Sequence, residues 1–406
     1  MIIPNFCRNF VAYFKIMRIL FLTYHGFEEA SGISKKMLAQ IKGLRQNGHE
    51  VHVCYYDLAA NGSRCRYVDG EVIRNYGSGR WATLLQRMDY RCINDYCRKH
   101  QIELVYVRCF MNASPFNIRL FKRLKADGIR AVMEVPTYPY DGEFASLPLK
   151  YRVEHVFDKL FRNQLASNMD AIVTFSDASR IFGQRTIRIS NGVDFDSLPL
   201  HQPPLLFSHL KEGVWHAMER AGGEALHLIG VAEVHPWHGF DRMLTGLGEY
   251  YQQGGEQPLV FHVVGGVSAS MMQEFRAIIE QYHIEDKVVF HGKLFGAQLD
   301  EVFSLCHFAI GSLARHRSGI TRIKTLKNRE YAARGIPFIY SEEDSDFDQQ
   351  PYVLKAPADE SPIDIERIIH FLENHHEQPA DIRKSVDYLS WKTQMQRVID
   401  KLNIER

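Results

Sequence analysis

The stretch that decides the fold class is MRILFLTYHGFEEASGISKKMLAQIKGLRQNGHEVHVCYY, residues 17–56. Its apolar run at 19–24 is short and bounded by a glycine-containing loop, which is typical of a buried strand. Apolar residues then recur at helical spacing over 33–46, and an Asn-Gly pair ends that helix. The run at 50–56 predicts a second strand. A strand, a helix and a strand in succession favour a parallel sheet covered on both faces.

The same alternation continues along the chain and predicts a second α/β domain. In the first domain, further strands are predicted at 104–107, 131–135 and 171–175. In the second, strands are predicted at 226–231, 259–264, 287–290, 308–310 and 337–340. The helices between them are predicted at 240–251, 269–282, 297–304 and 325–334, and a last helix at 391–402.

The segment SNGVDFDSLPLHQPPL, residues 190–205, interrupts the alternation. It is rich in Pro, Asp and Asn and has no helical periodicity, so it predicts the connection between the domains. We expect two Rossmann-like, doubly wound domains that face each other across a cleft. The expected divisions are an extension at 1–16, a first domain at 17–195, a linker at 196–205, a second domain at 206–380 and a helical tail at 381–406.

The composition is that of a globular protein, with 45% hydrophobic and 24% charged residues in a chain of 406. It excludes mainly disordered, collagen-like and coiled-coil architectures. No run approaches the roughly 18 apolar residues that a membrane-spanning helix needs. The seven cysteines include no CxxC pair, so neither a disulfide framework nor a zinc ribbon is expected. These features favour a cytoplasmic protein.

Charge is spread unevenly along the chain. Residues 1–130 hold 21 Lys and Arg against 10 Asp and Glu, and the rest holds 28 against 38. Such asymmetry arises by drift, or in a protein that rests a basic domain on an anionic membrane surface. Residues 1–16 also allow two interpretations, an amphipathic membrane-surface segment or an extension ahead of a true start at Met17. No small-residue cleavage site of a signal peptide follows their apolar run.

Two loops of the first domain carry candidate site residues at the ends of predicted strands. Tyr24, His25 and Gly32 lie in the first loop, where a glycine lets the backbone approach a ligand and the next helix favours an anion. The alternative is a plain tight turn. Glu134 ends a later strand, shortly before Tyr138, where a carboxylate can act as a base or orient a hydroxyl. The alternative there is a structural turn stiffened by two prolines.

Two loops of the second domain also carry candidate site residues. His238 precedes a helix in EVHPWHG, residues 233–239, where it can donate a hydrogen bond to a phosphate. Gly265 ends the strand FHVV, where its backbone can contact a nucleotide. The alternatives are a packing role for the histidine and a simple strand-to-helix turn at the glycine.

The segment GSLARHRSGITRIKTLKNREYAARGIPFIY, residues 311–340, is the most informative. Between 315 and 329 it has no acidic residue and the following bases: Arg315, His316, Arg317, Arg322, Lys324, Lys327 and Arg329. Lys327 and Glu330 are three residues apart and therefore share a helical face. Cations on a diphosphate and a carboxylate on ribose hydroxyls would suit a nucleoside diphosphate. The alternative is a solvated basic loop with an ordinary i,i+3 ion pair.

LKNREYAARGIPFI, residues 326–339, resembles the donor-binding helix of retaining family 4 glycosyltransferases, which have the two-domain GT-B fold. Other pieces resemble the family's elements in matching order: the opening strand and glycine loop at 17–34, SNGVD at 190–194, HPWHGFDRML at 235–244 and FHVVGG at 261–266. IGSLARHRSG, residues 310–319, with SDFD, residues 345–348, resembles the branch associated with capsular and exopolysaccharide assembly.

The resemblance implies a hexosyltransferase that moves a sugar from a nucleotide-diphospho-sugar to a glycan or lipid-linked glycan, with retention and without a metal or other cofactor. Glu330 would bond the ribose. The implied donor-binding residues are Gly32, Gly265, Arg317, Lys324, Lys327 and Glu330. The implied catalytic residues are Glu134 and His238, and the acceptor-side residues are Tyr24, His25 and Tyr138. The expected partners are donor, acceptor and an anionic membrane surface at the inner face of the plasma membrane, and not nucleic acid.

The chain departs from the family's pattern at three positions. Glu233 and His238 stand where an arginine and a lysine usually bind the diphosphate, and Arg322 replaces the first glutamate of the usual pair. Two alternatives therefore stay open. One is a catalytically silent relative that binds a nucleotide-sugar or glycan, and the other is a nucleotide-sugar epimerase of the same fold.

Overall fold

The computed structural model describes residues 16–28, 31–108, 112–141, 149–202 and 225–404. Within these ranges the strands form one sheet of nine and one of six. Each sheet has a parallel centre with helices around it, so the prediction of two doubly wound α/β domains is confirmed. The proposed extension at 1–16 lies outside the described residues except for its last position.

The first sheet has the order β4-β3-β2-β1-β5-β6-β7-β9-β8. Its strands are β1 (Arg18–Leu22), β2 (Glu50–Leu58), β3 (Arg64–Val68), β4 (Glu71–Asn75), β5 (Leu104–Arg108), β6 (Arg130–Val135), β7 (Ala171–Thr174), β8 (Arg180–Ile181) and β9 (Gln184–Arg188). The parallel core runs from β2 to β9, while the hairpin β3–β4 and the edge strand β8 are antiparallel. The sequence predicted the parallel strands β1, β2, β5, β6 and β7, and it missed β9, β8 and the β3–β4 hairpin.

Helices cover both faces of the first sheet. They are α1 (Gly32–Gln46), α2 (Gly79–Met88), α3 (Arg91–Lys99), α4 (Pro115–Ala126) and α5 (Leu149–Ala166). Ser31 begins α1 by accepting a hydrogen bond from the Ser34 amide, and Ser114 begins α4 in the same way ahead of Pro115. The Ser31 cap fixes where the loop after β1 ends, which matters because that loop borders the cleft.

The second sheet has the order β12-β11-β10-β13-β14-β15 and is parallel throughout. Its strands are β10 (Leu226–Val231), β11 (Leu259–Val264), β12 (Val288–Gly292), β13 (Phe308–Ile310), β14 (Phe338–Tyr340) and β15 (Val353–Lys355). Its helices are α6 (Phe240–Gln252), α7 (Ala269–Tyr282), α8 (Ala297–Leu305), α9 (Leu326–Arg334), α10 (Ile365–Glu373) and α11 (Pro379–Ser385). These bounds agree with the predicted elements to within two residues wherever one was predicted.

The last helix, α12 (Trp391–Ile404), returns to the first domain. Trp391, Met395 and Val398 are buried there in one core with Met37 and Leu44 of α1. The backbones of α1 and α12 lie close together, because a side chain at Gly43 of α1 would meet the Trp391 carbonyl oxygen at 2.6 Å. The chain therefore crosses between the domains twice. Among the described helices, none is long and apolar enough to cross a membrane.

Candidate functional site

A cleft of about 1560 Å³ lies between the two sheets. Its first-domain wall is built from residues that follow β1, β5, β6 and β7, and its second-domain wall from residues that follow β10 and β13 together with the start of α9. In doubly wound sheets, ligands bind at the carboxyl ends of the strands. The cleft is therefore the candidate site, and most of the residues proposed from sequence line it.

Lys327, in the first turn of α9, lies against the cleft with a buried Nζ that makes no hydrogen bond. Burial, and then the charge of Arg315, lower the pKa of Lys327 to about 7, while the charge of Glu342 opposes the shift. A buried cation without a hydrogen-bonding partner is costly. Because Lys327 also stands at a helix N-terminus, the position favours an anionic ligand.

His238 lies beside Lys327 in the loop before α6. Its Nδ1 accepts a hydrogen bond from the His235 amide at 2.9 Å, which leaves the proton on Nε2. Burial, with the charges of Lys327 and Arg315, holds the pKa of His238 well below its usual range. The imidazole is therefore neutral and acts as a hydrogen-bond donor at the cleft, which it lines.

Glu330 and Lys324 also line the cleft. The Glu330 carboxylate accepts long hydrogen bonds, at 3.3 and 3.4 Å, from Arg334 one turn later in α9. Lys324 donates to the Ser190 hydroxyl at 2.9 Å and lies 3.5 Å from Asp346. Ser190 belongs to the segment that leaves the first domain, so Lys324 also ties the second domain to that segment.

The first-domain wall contains Tyr24, His25 and Tyr138, as expected for acceptor-side residues. It also contains two cations that the sequence reasoning missed, Lys36 of α1 and Arg108 at the end of β5. One signal was available, because Arg108 closes the otherwise apolar strand LVYVR. Burial lowers the pKa of Lys36 to about 7, although the attraction of Glu134 opposes the shift.

Glu134 does not line the cleft, which corrects its placement against the reacting sugar. It is fully buried and accepts hydrogen bonds from Gln40 at 2.6 Å, Tyr106 at 2.5 Å and Arg108 at 2.8 Å. Lys36 Nζ lies 3.3 Å away. Burial raises the pKa of Glu134, but Lys36 and Arg108 lower it more, and the net pKa is below its usual value. We assign Glu134 to positioning these two cations.

Arg317 is also absent from the cleft lining, contrary to the donor-binding assignment. Its guanidinium forms a two-pronged ion pair with Asp241, at 2.9 and 2.7 Å, and bonds Glu360 as well. It donates to the Pro236 carbonyl at 2.9 Å. Arg317 therefore joins the loop after β13 to the start of α6. Arg315, two residues earlier in this loop, does line the cleft.

The two candidate glycines, Gly32 and Gly265, differ in whether they line the cleft. A side chain at Gly265, with φ of 129°, would meet the Ala232 carbonyl oxygen at 1.7 Å, so this glycine allows a close approach within the protein. Gly265 does not line the cleft, which corrects its donor-binding assignment. Gly32 lines the cleft, and the space where its side chain would stand is open. A ligand can therefore approach the backbone there.

Two of the three positions that depart from the family's pattern, Glu233 and Arg322, form ion pairs. Glu233 lies 2.9 Å from Lys293, and Arg322 Nε lies 2.5 Å from Glu343. The Arg322 side chain is 72% exposed. Both residues line the cleft mouth rather than its floor, where Lys327 and His238 stand. Among the described residues, no cluster of three or more His, Cys, Asp or Glu side chains could hold a metal ion.

Comparison with known proteins supports the architecture. No protein-family model matches the sequence, and no curated protein matches it. Solved structures do: a glycosyltransferase from Rickettsia africae ESF-5 is similar with a TM-score of 0.60 and 12% identity over 97% of this chain and 99% of that one. Anabaena HepE in complex with UDP has a TM-score of 0.59 and 14% identity over 96% and 100% of the two chains.

Sucrose-phosphate synthase from Thermosynechococcus elongatus has a TM-score of 0.59 and 13% identity, over 97% of this chain and 100% of that one. Each of these structures is similar to this chain over 96% or more of its length, and therefore over both domains. The class that the fold defines is therefore GT-B, as the resemblance implied. At such identities the likeness establishes the fold alone.

Proposed function

We propose that the protein is a glycosyltransferase that moves a hexose from a nucleotide-diphospho-sugar to a glycan or lipid-linked glycan acceptor. We further propose that it retains the anomeric configuration, that it belongs to the family 4 branch of capsular and exopolysaccharide assembly, and that it works at the cytoplasmic face of a membrane. The observation that carries the donor assignment is the buried, unpartnered ammonium of Lys327 in the cleft.

The donor would lie on the second-domain wall. Lys327 and Arg315 are placed to bind the diphosphate, with the His238 Nε2–H as a third donor. Glu330, on the same face of α9 as Lys327, would accept hydrogen bonds from the ribose hydroxyls. HepE, similar in fold, has been solved with UDP-glucose, which makes uridine nucleotides the first donors to test.

Catalysis would come mainly from these cations. Negative charge develops on the leaving diphosphate as the glycosidic bond to the donor breaks, and fixed cations in a water-poor site stabilise that charge. We propose that Lys327, Arg315 and His238 do so without a metal. Closing the two domains would exclude water and limit hydrolysis of the donor. Tyr24, His25 and Tyr138 would contact the acceptor on the opposite wall.

The test is thermal stabilisation by UDP, GDP, ADP and CMP and their sugars, on the wild type and on Lys327→Ala. A ligand at about 100 times its Kd adds roughly 2.7 kcal/mol of stability. We expect one nucleotide to stabilise the wild type, and Lys327→Ala to bind it with about 1.5–3 kcal/mol less free energy. Lys287→Ala is the matched control, because Lys287 pairs with Asp286 ahead of β12, at the sheet edge away from the cleft.

Stabilisation by no nucleotide, or equal nucleotide binding by Lys327→Ala and the wild type, would contradict the proposed donor site.

A second function, that of a catalytically silent relative, has a specific observation in its favour. Arg322, in place of the family's first glutamate, is solvent-exposed and paired with Glu343, as expected of a silent relative that binds the nucleotide-sugar without turning it over. Tight nucleotide binding without sugar transfer or donor hydrolysis would favour that function. Conversion of the donor alone to an isomer would favour the epimerase.

A further inference from the structure

Two helices of the first domain, α2 and α5, turn apolar side chains towards solvent. On α2 and α5 these side chains are Trp81, Leu84, Leu85, Met88, Val153, Val156, Phe157 and Leu160. Trp81 is 77% exposed and Leu160 is 68% exposed. We call these eight residues the apolar surface. Exposed side chains of this size are unremarkable singly, but a contiguous set marks an interaction site.

The spacing and contacts place the two apolar helix faces next to each other. On each helix the residues follow the order i, i+3, i+4, i+7, which places them on one helical face. Both helices pack against α4. Arg87 of α2 lies 3.4 Å from Glu154 of α5, so an ion pair joins the two helices directly.

Basic residues surround the apolar surface. Helix α2 has the sequence GRWATLLQRM, with exposed Arg80 and Arg87 and no acid. Helix α4 has the sequence PFNIRLFKRLKA, also without an acid, and its exposed bases are Arg119, Lys122, Arg123 and Lys125. On α5, Arg152 is exposed next to Val153. This arrangement complements an anionic lipid headgroup region and would repel a second copy of itself.

The helices that carry the apolar surface contact the acceptor side of the cleft through their buried faces. Ala82 of α2 packs with Tyr56 and Tyr76 in a small core against Tyr24, which lines the cleft. On the other side, Tyr140 donates to Asp158 of α5 at 2.7 Å, only two residues beyond Tyr138 in the cleft wall. Both α2 and α5 are therefore in contact with the part of the first domain that holds the acceptor-side residues.

We propose that the apolar surface docks the protein on an anionic lipid bilayer. The apolar side chains of α2 and α5 enter the headgroup boundary, and Arg80 and Arg152 contact lipid phosphates. This inference deepens the proposed function, on which it rests for the lipid-linked acceptor. Docking on these helices holds the acceptor side of the cleft close to the membrane, where a lipid-linked sugar is presented.

The test is co-sedimentation of the full-length protein with vesicles of phosphatidylcholine alone or mixed with phosphatidylglycerol. We expect binding to the mixed vesicles that weakens with salt. The double variant Trp81→Glu with Leu160→Glu should lower the partition coefficient by more than about tenfold. Arg80→Gln should lower it by about fivefold, the contribution of one basic residue near an anionic surface. Leu305→Glu is the control, since Leu305 is 53% exposed in the second domain.

Two results would overturn the proposal: no binding of the wild type to mixed vesicles, or equal binding by the double variant. A wild-type dimer that the double variant dissociates, without vesicle binding, would assign the surface to self-association instead. Nucleotide stabilisation of each variant separates the two proposals. If a variant loses vesicle binding but still binds nucleotide, its substitutions act on the docking surface alone. If the protein binds vesicles but no nucleotide, only the proposed transferase function is contradicted.

Discussion

The two walls of the cleft hold buried charge differently. In the first domain, Glu134 accepts three hydrogen bonds and lies beside Lys36, so each charge has a partner. In the second, the Lys327 ammonium and both carboxylate oxygens of Glu342 are buried without any hydrogen-bond partner. Burial lowers the pKa of both Lys36 and Lys327 to about 7, but the pKa of Glu134 stays below its usual value while burial raises that of Glu342. The two walls therefore differ in whether the buried carboxylate is stabilised as an anion.

The contrast separates structural charge from ligand-binding charge. Removing one member of a complete buried network exposes the others to a desolvation cost with nothing to offset it. Removing a charge that has no partner takes away a cost already present. The first-domain wall should therefore lose stability when it is altered, and the second-domain wall should lose ligand affinity.

The largest effect is expected at Glu134. Glu134→Ala would leave Lys36 and Arg108 buried without their carboxylate, and should lower the free energy of unfolding by about 3–5 kcal/mol. Glu134→Gln keeps the shape and part of the hydrogen bonding and should cost less. Urea denaturation measures both, with Glu71→Gln on the exposed strand β4 as the control. If Glu134→Ala is as stable as the control, the wall does not depend on this network.

The second domain also contains a hydrogen-bonded network of three histidines, away from the cleft. His227 Nδ1 lies 2.8 Å from His262 Nε2, and His262 Nδ1 lies 2.9 Å from His291 Nε2, so three rings are joined across β10, β11 and β12. Burial, with the charges of the two neighbouring rings, lowers the pKa of His262 to about 4. Burial also lowers the pKa of His307, next to His227, to about 3.

Acid should therefore destabilise the protein through these histidines. Their pKa values are lower in the folded state than the value of about 6.5 in the unfolded chain, so the stability that depends on these histidines is complete above pH ~6.5 and is lost as the pH drops towards 4. We expect about 2–4 kcal/mol less stability at pH 5 than at pH 7. Urea titrations at the two pH values measure the loss, and His262→Gln should reduce it. An unchanged pH dependence in this variant would contradict the assignment.

The fold was largely predictable because its signals are local. The strand at 259–264 and the helix at 269–282 were predicted with the observed bounds, since an apolar run and a helical pattern stand on either side of a glycine loop. The β3–β4 hairpin was missed although its Asp69-Gly70 turn has positive φ at both residues, a strong hairpin signal. The packing of α12 on the first domain had no local signal, because its partners in α1 are distant in sequence.

Cleft-lining residues were predictable where a strand end or a helical spacing places them. Lys327 and Glu330 were predicted together because they are three positions apart on one helix, and both line the cleft. The role of Arg317 was not, because its partners Asp241 and Glu360 lie 76 and 43 residues away. Sequence shows that a residue is charged but not whether the fold supplies a partner for it. That difference distinguishes Arg317 from Lys327.

A smaller effect on stability is expected at Lys327 itself. Lys327→Met removes a buried ammonium without a partner and keeps most of the side-chain volume. The free energy of unfolding without ligand should be unchanged or about 1–2 kcal/mol higher, opposite in sign to the effect at Glu134. The same urea series measures it. Destabilisation comparable to that of Glu134→Ala would mean that Lys327 has a structural role and would remove the contrast between the walls.

The smallest expected signal is a proton taken up when nucleotide binds. Without ligand, burial and Arg315 favour the neutral form of Lys327, while Glu342 opposes them and His238 is neutral. A bound diphosphate favours the charged form and raises the pKa of Lys327, so affinity should fall as the pH rises above about 7. At pH ~8, where the nucleotide's own phosphates are ionised, up to about one proton should be taken up on binding.

Calorimetry in two buffers of different ionisation enthalpy measures this uptake, because the proton comes from the buffer. Lys327→Met should bind more weakly and show no buffer dependence. Uptake that persists in this variant would assign the proton to Glu342 or His238, and then Lys327 would be charged before the nucleotide arrives. A binding enthalpy independent of buffer in the wild type would mean that Lys327 does not change its protonation state when nucleotide binds, and the contrast between the walls would reduce to hydrogen bonding.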